Sequence, residues 1–273
     1  MTISVARVEK DNEQKAILEF RSLLAERTRF TLESLLAEVA LEVGDRVVWS
    51  GSLLEGYGNS TSDIDLYVIG KSIEHRPGAR IHLFGGHVMP SQTIGGKTRI
   101  DVNYIDHQFL RAVTACLESF AEFDPDRPIL DPETLETAHR LTFGIEIAGA
   151  DGSQAWRPSK TALIENIRAR MTERANSFKQ DSLGAAEAGD VETAIIGDRM
   201  RFHCLLDAYL AKSGLTNCRF DKWRLAKLRK LGASEYRETL LVVDGIRQTE
   251  PRSPADLLSY IRQECRKLED ALI

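Results

Sequence analysis

The sequence predicts an α/β domain with a mixed sheet followed by an all-α domain, and three observations predict it. Between residues 46 and 105, β-rich runs alternate with Gly-rich turns. After residue 106, apolar residues recur at helical spacing to the end of the chain. The stretch 148–158, with Gly149, Gly152, Ser153 and Pro158, has linker composition. The boundary therefore falls near 150, giving domains 1–150 and 151–273.

Residues 10–43 read as helix, with Ile17, Leu18, Leu23, Leu24, Leu35, Leu36, Val39 and Leu41 among Glu, Arg and Lys. Gly44-Asp45 ends that pattern. The run 46–50 reads as a strand, the segment from Gly51 to Ser62 as a Gly-rich turn, and Asp63–Ile69 as a second strand ending at Gly70. Residues 80–105 read as hairpin material, with Gly85-Gly86 and Gly95-Gly96 as its turns. Helices follow at 107–122, 131–148, 159–180, 190–213, 220–231, 235–247 and 254–271, carried by stripes such as Leu163/Ile164/Ile167/Met171. The segment 124–128, Asp-Pro-Asp-Arg-Pro, reads as a loop.

Composition narrows the function classes. Across 273 residues, hydrophobic residues are 42% and charged residues 28%, which excludes a disordered, collagenous or low-complexity chain. No run approaches ~18 apolar residues, so no membrane partner is expected. The start of the chain lacks the apolar core of a secretory signal, and Cys116, Cys204, Cys218 and Cys265 form no CxxC pair. A reduced, cytoplasmic protein is expected. The net charge of −5 argues against a broad electrostatic grip on nucleic acid. It divides unevenly: residues 1–150 hold 15 Lys+Arg against 23 Asp+Glu, and residues 151–273 hold 21 against 18. An acidic half beside a mildly basic half suits a metal site facing an anion-binding surface.

The informative stretch runs from Gly51-Ser52 to Asp63-Ile64-Asp65-Leu66-Tyr67-Val68-Ile69. Side chains alternate along a strand, so Asp63 and Asp65 share one face while Ile64, Leu66 and Val68 pack the other. Two carboxylates ~7 Å apart on one strand face repel, and a divalent cation resolves the repulsion. In Arg99-Ile100-Asp101-Val102-Asn103-Tyr104, the same alternation buries Ile100, Val102 and Tyr104 and puts Asp101 with Asn103 on the opposite face. If the two strands are neighbours, three carboxylates converge. All-oxygen donors favour Mg²⁺ or Mn²⁺ over Zn²⁺. The Gly51-Ser52 turn offers N–H groups and a hydroxyl to phosphate oxygens. These parts describe two-metal phosphoryl transfer, with Asp101 placed to receive the acceptor's proton.

The GS turn, ten further residues, DID and a later strand acid resemble the DNA polymerase β-like nucleotidyltransferase superfamily, which includes aminoglycoside adenylyltransferases, RNA end-adding polymerases, cyclic-dinucleotide synthases and minimal nucleotidyltransferases of toxin systems. The resemblance covers roughly residues 30–105. It implies that Gly51 and Ser52 contact a nucleoside triphosphate, ATP or another NTP, and that Asp63, Asp65 and Asp101 hold two Mg²⁺ in a cleft between the domains. It further implies a helical-domain lysine at the triphosphate, for which Lys222 is the candidate and Lys227 a second, with Arg199 and Asp207 on the preceding helix placed to line the same cleft or to lie on the surface. The expected reaction moves an NMP to a hydroxyl of a small-molecule or nucleotide acceptor and releases pyrophosphate. Oligomeric state is not legible.

Two rival readings follow from other features. The segment 218–230, rich in Arg and Lys, reads as a helix burying Phe220, Trp223, Leu228 and part of Leu225 with its cations on the opposite face. That face suits an RNA 3′-end as acceptor. A non-catalytic nucleotide-binding or antitoxin-like module would keep the pocket without turnover. Ser91–Thr98 nearly spells a phosphate-binding loop, but Ser91 replaces its first glycine and no helix follows, so it reads as a hairpin connection. His82 and His87 read as hairpin histidines.

Overall fold

The computed structural model describes residues 2–39, 41–71, 73–95, 98–119, 130–149, 156–218, 221–247 and 253–273. They fall into two compact units, one formed by the described residues up to Ser159 and the other by those from Lys160 to Ile273.

The first unit opens with helices α1 (Thr2–Arg27) and α2 (Leu32–Glu38) where the sequence predicts one. Local hydrogen bonds make the break. The Thr28 hydroxyl donates to the Leu24 carbonyl and accepts from the Phe30 N–H, while Thr31 and Ser34 cap α2 reciprocally. Six strands follow: β1 (Arg46–Ser50), β2 (Ile64–Gly70), β3 (Ala79–His82), β4 (Val88–Ile94), β5 (Ile100–Asp106) and β6 (Ile145–Ala148). They form one mixed sheet in the order β3-β4-β5-β2-β1-β6, in which β2 and β5 are parallel and the other neighbours antiparallel.

Helices α3 (His107–Glu118) and α4 (Pro132–Phe143) lie between β5 and β6. Here the sequence reading of a helix over 131–148 is corrected. Gly144 ends α4, and a Cβ there would overlap Val48 and approach the Arg140 carbonyl at 2.7 Å. The chain leaves in extended conformation, and Ile145–Ala148 pairs with β1, where Glu146 holds Arg46 at 3.1 Å. The core on one sheet face joins Phe20, Leu24, Leu35 and Trp49 to Ile64, Leu66, Val68, Ile100, Val102 and Tyr104, the residues that alternation assigns inward.

The second unit is helical: α5 (Lys160–Glu187), α6 (Val191–Lys212), a short 3₁₀ turn at Asp221–Trp223, α7 (Arg224–Leu231), α8 (Ser234–Val243) and α9 (Pro254–Leu272). Helix α6 packs against α5 and α9 around Phe202, Leu205, Leu206, Leu240, Ile261 and Leu268. Buried Asp198 is well paired: it accepts from Ser182, Arg201 and Arg262. The basic segment differs from its sequence reading. Arg224 is buried against Asp207, and Lys227 is fully buried with its ammonium on the Asn217 carbonyl, so these cations do not line a solvated face. Leu228 is buried and Trp223 half-buried, while Arg219 and Phe220 lie outside the described residues, as does most of the expected linker. No described helix is long and apolar enough to cross a membrane.

Candidate active site

Pairing register builds the site. Ser50 on β1 lies opposite Asp65 on β2, Asp65 opposite Asp101 on β5, and Asp101 opposite Thr93 on β4. Directly paired residues share a sheet face, so Ser50, Asp65, Asp101 and Thr93 form one row across four strands. The expected neighbourhood of the two acid-bearing strands is thus present, with neighbouring strands ~4.8 Å apart. Asp63 immediately precedes β2 and belongs to the same face by alternation.

Two arginines pair with these acids. Arg99 Nη2 donates to Asp63 Oδ2 at 2.8 Å and to Asp101 Oδ2 at 3.0 Å, and its side chain remains mostly exposed. Asp101 and then Asp63 hold its guanidinium more firmly protonated. Arg140, buried on α4, bridges Asp65 at 3.2 Å and Glu136 at 3.0 Å. Burial disfavours its charge, but Tyr67, Asp65, Glu136 and Glu55 outweigh that, and its pKa rises. Thr93 donates to the other Asp101 oxygen at 2.8 Å, and Ser50 donates to the Arg140 carbonyl at 3.0 Å.

Asp65 is the strained member electrostatically. Burial pushes its carboxyl up to about 6, and Asp101, Glu136 and Asp63 push the same way against the pull of Arg140. Four carboxylates share this region with two guanidiniums, so full ionisation leaves surplus negative charge.

The turn after β1 closes on the row. Gly51 has φ +101°, and a Cβ there would overlap Asp65 Oδ2 and Arg140 Nη1 and stand 2.9 Å from Asp65 Cγ. Only glycine lets the backbone approach the carboxylate this closely. Beyond it, the N–H groups of Tyr57 and Gly58 donate to the Ser52 carbonyl, and Glu55 in the same turn faces His139 of α4 at 3.2 Å.

Asp63, Asp65, Asp101, Gly51 and Ser52 therefore all belong to the first unit. Lys222 belongs to the second, exposed, with its ammonium 4.9 Å from the Trp223 ring centroid. Among the described residues no group of three or more His, Cys, Asp or Glu side chains is arranged so that it could hold a metal ion. The chemistry of the candidate donors nevertheless suits a divalent cation: they are all oxygen and carry surplus negative charge.

Arg99, Thr93, Ser50, Glu136 and Arg140 are site residues that the sequence reading did not select. Arg99 was within reach of it, since alternation puts Arg99 on the face of Asp101. Arg140 is 75 positions from Asp65 and carries no local signal. His82 is exposed on β3, and His87 packs edge-on against Phe109. The Ser91–Thr98 segment continues β4 to Ile94, with Gly96 and Lys97 outside the described residues.

No family model matches the chain, and a comparison with curated proteins finds no match. Among solved structures, the chain is similar to the crystal structure of a nucleotidyltransferase-like protein from Exiguobacterium sibiricum 255-15. The TM-score is 0.43 and the identity 13%, over 88% of this chain and 72% of that one. A likeness this distant carries no argument about activity.

Proposed function

We propose that the chain is a cation-dependent nucleotidyltransferase that moves an NMP from ATP or another NTP to a hydroxyl of a small-molecule or nucleotide acceptor. The observation that carries this reading is the direct register of Asp65 with Asp101 on parallel neighbouring strands, beside a Gly51 turn with no room for a side chain. Asp63, Asp65 and Asp101 would hold two Mg²⁺, or Mn²⁺, which supply charge neutralisation of the triphosphate and acidify the acceptor hydroxyl. Gly51 and Ser52 offer backbone N–H groups and a hydroxyl to phosphate oxygens. Asp101 receives the acceptor's proton as the acceptor oxygen bonds to the α-phosphorus. The α–β phosphoanhydride bond breaks and pyrophosphate leaves. Lys222 is the proposed cationic contact from the helical unit. A reducing, cytoplasmic setting completes the proposal, in keeping with four free cysteines.

A second reading has its own support. Arg99 and Arg140 already pair with the three acids and offset part of their charge, as a non-catalytic nucleotide-binding module would allow. An RNA acceptor is less well supported, because Arg224 and Lys227 are buried and unavailable to phosphates. Calorimetric titration of ATP, with and without Mg²⁺, against wild type and Asp65→Asn tests the proposal. Mg²⁺-dependent binding that Asp65→Asn abolishes, together with pyrophosphate release in a mixed acceptor pool, supports the enzyme. Binding without release in any pool supports the module. ATP affinity that ignores both Mg²⁺ and Asp65 removes the basis of the enzyme, and no ATP binding at all removes the basis of both.

A further inference from the structure

A cavity of about 470 Å³ lies along α3, away from the carboxylate row. Its lining takes His107, Leu110, Arg111, Thr114, Ala115 and Glu118 from one stripe of that helix, and Arg46 and Trp156 complete it. Arg46 pairs with Ile69 and Ser50 with Asp65, so the cavity and the acids sit at opposite ends of β1, ~13 Å apart along the strand. The volume falls in the range of small-molecule sites, ~300–1,000 Å³.

Its walls differ in chemistry. Leu110, Ala115 and the Trp156 indole supply apolar surface. Trp156 is held in place by Arg157, whose guanidinium lies 4.9 Å from the indole centroid and donates to the Gly144 and Thr142 carbonyls. Beside Leu110 and Ala115 on the same stripe, His107 and Arg111 lie close to Arg46. Burial lowers the His107 pKa, and Arg111 and Arg46 lower it further against Asp106 and Asp45. Of the nearby acids, Asp106 caps α3 through the Phe109 N–H and faces His87, Asp45 holds Arg76, and Glu146 pairs with Arg46 at the cavity wall, which leaves Arg111 as the cation for a ligand. Glu118 lies a helix length away from His107. Arg111 is exposed and has no ion-pair partner among the described residues.

We propose that this cavity binds a ligand joining a planar aromatic ring to one anionic group, either an aromatic carboxylate or a nucleoside monophosphate. The ring lies on the Trp156 and Leu110 side, and the anion meets Arg111 with Arg46 and His107 behind it. The site is independent of the carboxylate row.

The test is NMR titration of histidine-labelled protein without divalent cation. The His107 ring signal, identified by its loss in His107→Gln, reports the site locally. The probes are AMP and 2-naphthoate, with adenosine, 2-naphthol and inorganic phosphate as controls. An anion beside His107 raises its pKa, so saturating AMP or 2-naphthoate moves the titration upward. Response to AMP alone identifies a nucleotide site, to 2-naphthoate alone a carboxylate site, and to both the shared chemistry. Arg111→Gln, at an exposed position, weakens binding about tenfold or more. Trp156→Leu weakens it by a similar factor through lost stacking, about tenfold. The proposal is overturned if neither probe moves His107, if phosphate alone reproduces the shift, if the uncharged controls bind as tightly, or if Arg111→Gln binds unchanged.

Discussion

Replacing Gly51 by alanine probes the closest approach in the site. The backbone there has φ +101°, which costs an L-residue ~1–2 kcal/mol. The new methyl also occupies the space of Asp65 Oδ2 and Arg140 Nη1. Neither can yield cheaply, because Asp65 is a short side chain on a central strand and Arg140 is clamped by Glu136. Removing one partner of a buried ion pair costs ~3–5 kcal/mol, and displacing both partially should cost about half of that. The total is ~3–4 kcal/mol, or a melting-temperature drop of ~6–15 °C for a unit of this size. Gly56 supplies the control: its φ is +79° but no atom lies within 4 Å of the point a methyl would occupy, so Gly56→Ala carries the backbone cost alone, ~1 kcal/mol. Urea unfolding followed by the fluorescence of Trp49, buried in the same unit, measures both variants. A Gly51→Ala cost within ~1 kcal/mol of Gly56→Ala would refute the close-approach argument.

Other expectations follow from the same geometry. Asp65 titrates at about 6 in the fold against an ordinary 3.8, so the folded chain holds the extra proton and stability falls as pH rises through that window. Asp65→Asn flattens this slope in pH-dependent melts, and an unchanged slope assigns it to another group. Mg²⁺, by pairing with the ionised carboxylate, should raise the melting temperature more at about pH 7.5 than at about pH 5. Arg140→Met strands Asp65 and Glu136 without their cation and costs ~3–5 kcal/mol in chemical denaturation; a loss below ~1 kcal/mol contradicts the bridging role. Lys222→Ala removes an exposed contact with Trp223, ~0.5–1 kcal/mol, yet weakens ATP binding severalfold if Lys222 reaches the triphosphate. Equal ATP affinity removes Lys222 from the site.

Strand periodicity made the sheet core legible: Ile64, Leu66, Val68, Ile100, Val102 and Tyr104 all point inward as alternation requires. The same rule grouped Asp63 with Asp65 and Asp101 with Asn103, and only the adjacency of β2 and β5 had to be supplied by the fold. What stayed hidden depends on distant partners. Arg140 meets Asp65 across 75 positions, and the buried cations of α7 are satisfied by Asp207 and the Asn217 carbonyl. A charged residue is read as solvated until such a partner is known. The sequence overextends the helix that stops at Gly144 because Ile145 and Ala148 continue the helical spacing of Leu141, whereas the strand is selected by an open edge of β1.

The central claim is that the Asp63, Asp65 and Asp101 carboxylates support NMP transfer. Incubating α-³²P-labelled ATP, GTP, CTP and UTP with the protein and Mg²⁺, beside Asp65→Asn and Asp101→Asn variants, tests it directly. The lanes would contain no acceptor, an aminoglycoside pool, a nucleotide pool or total RNA. The account predicts label in a wild-type product, lost in both variants, with the RNA lane blank. Label that persists in Asp65→Asn and Asp101→Asn, or wild type that transfers none to any pool, would contradict it.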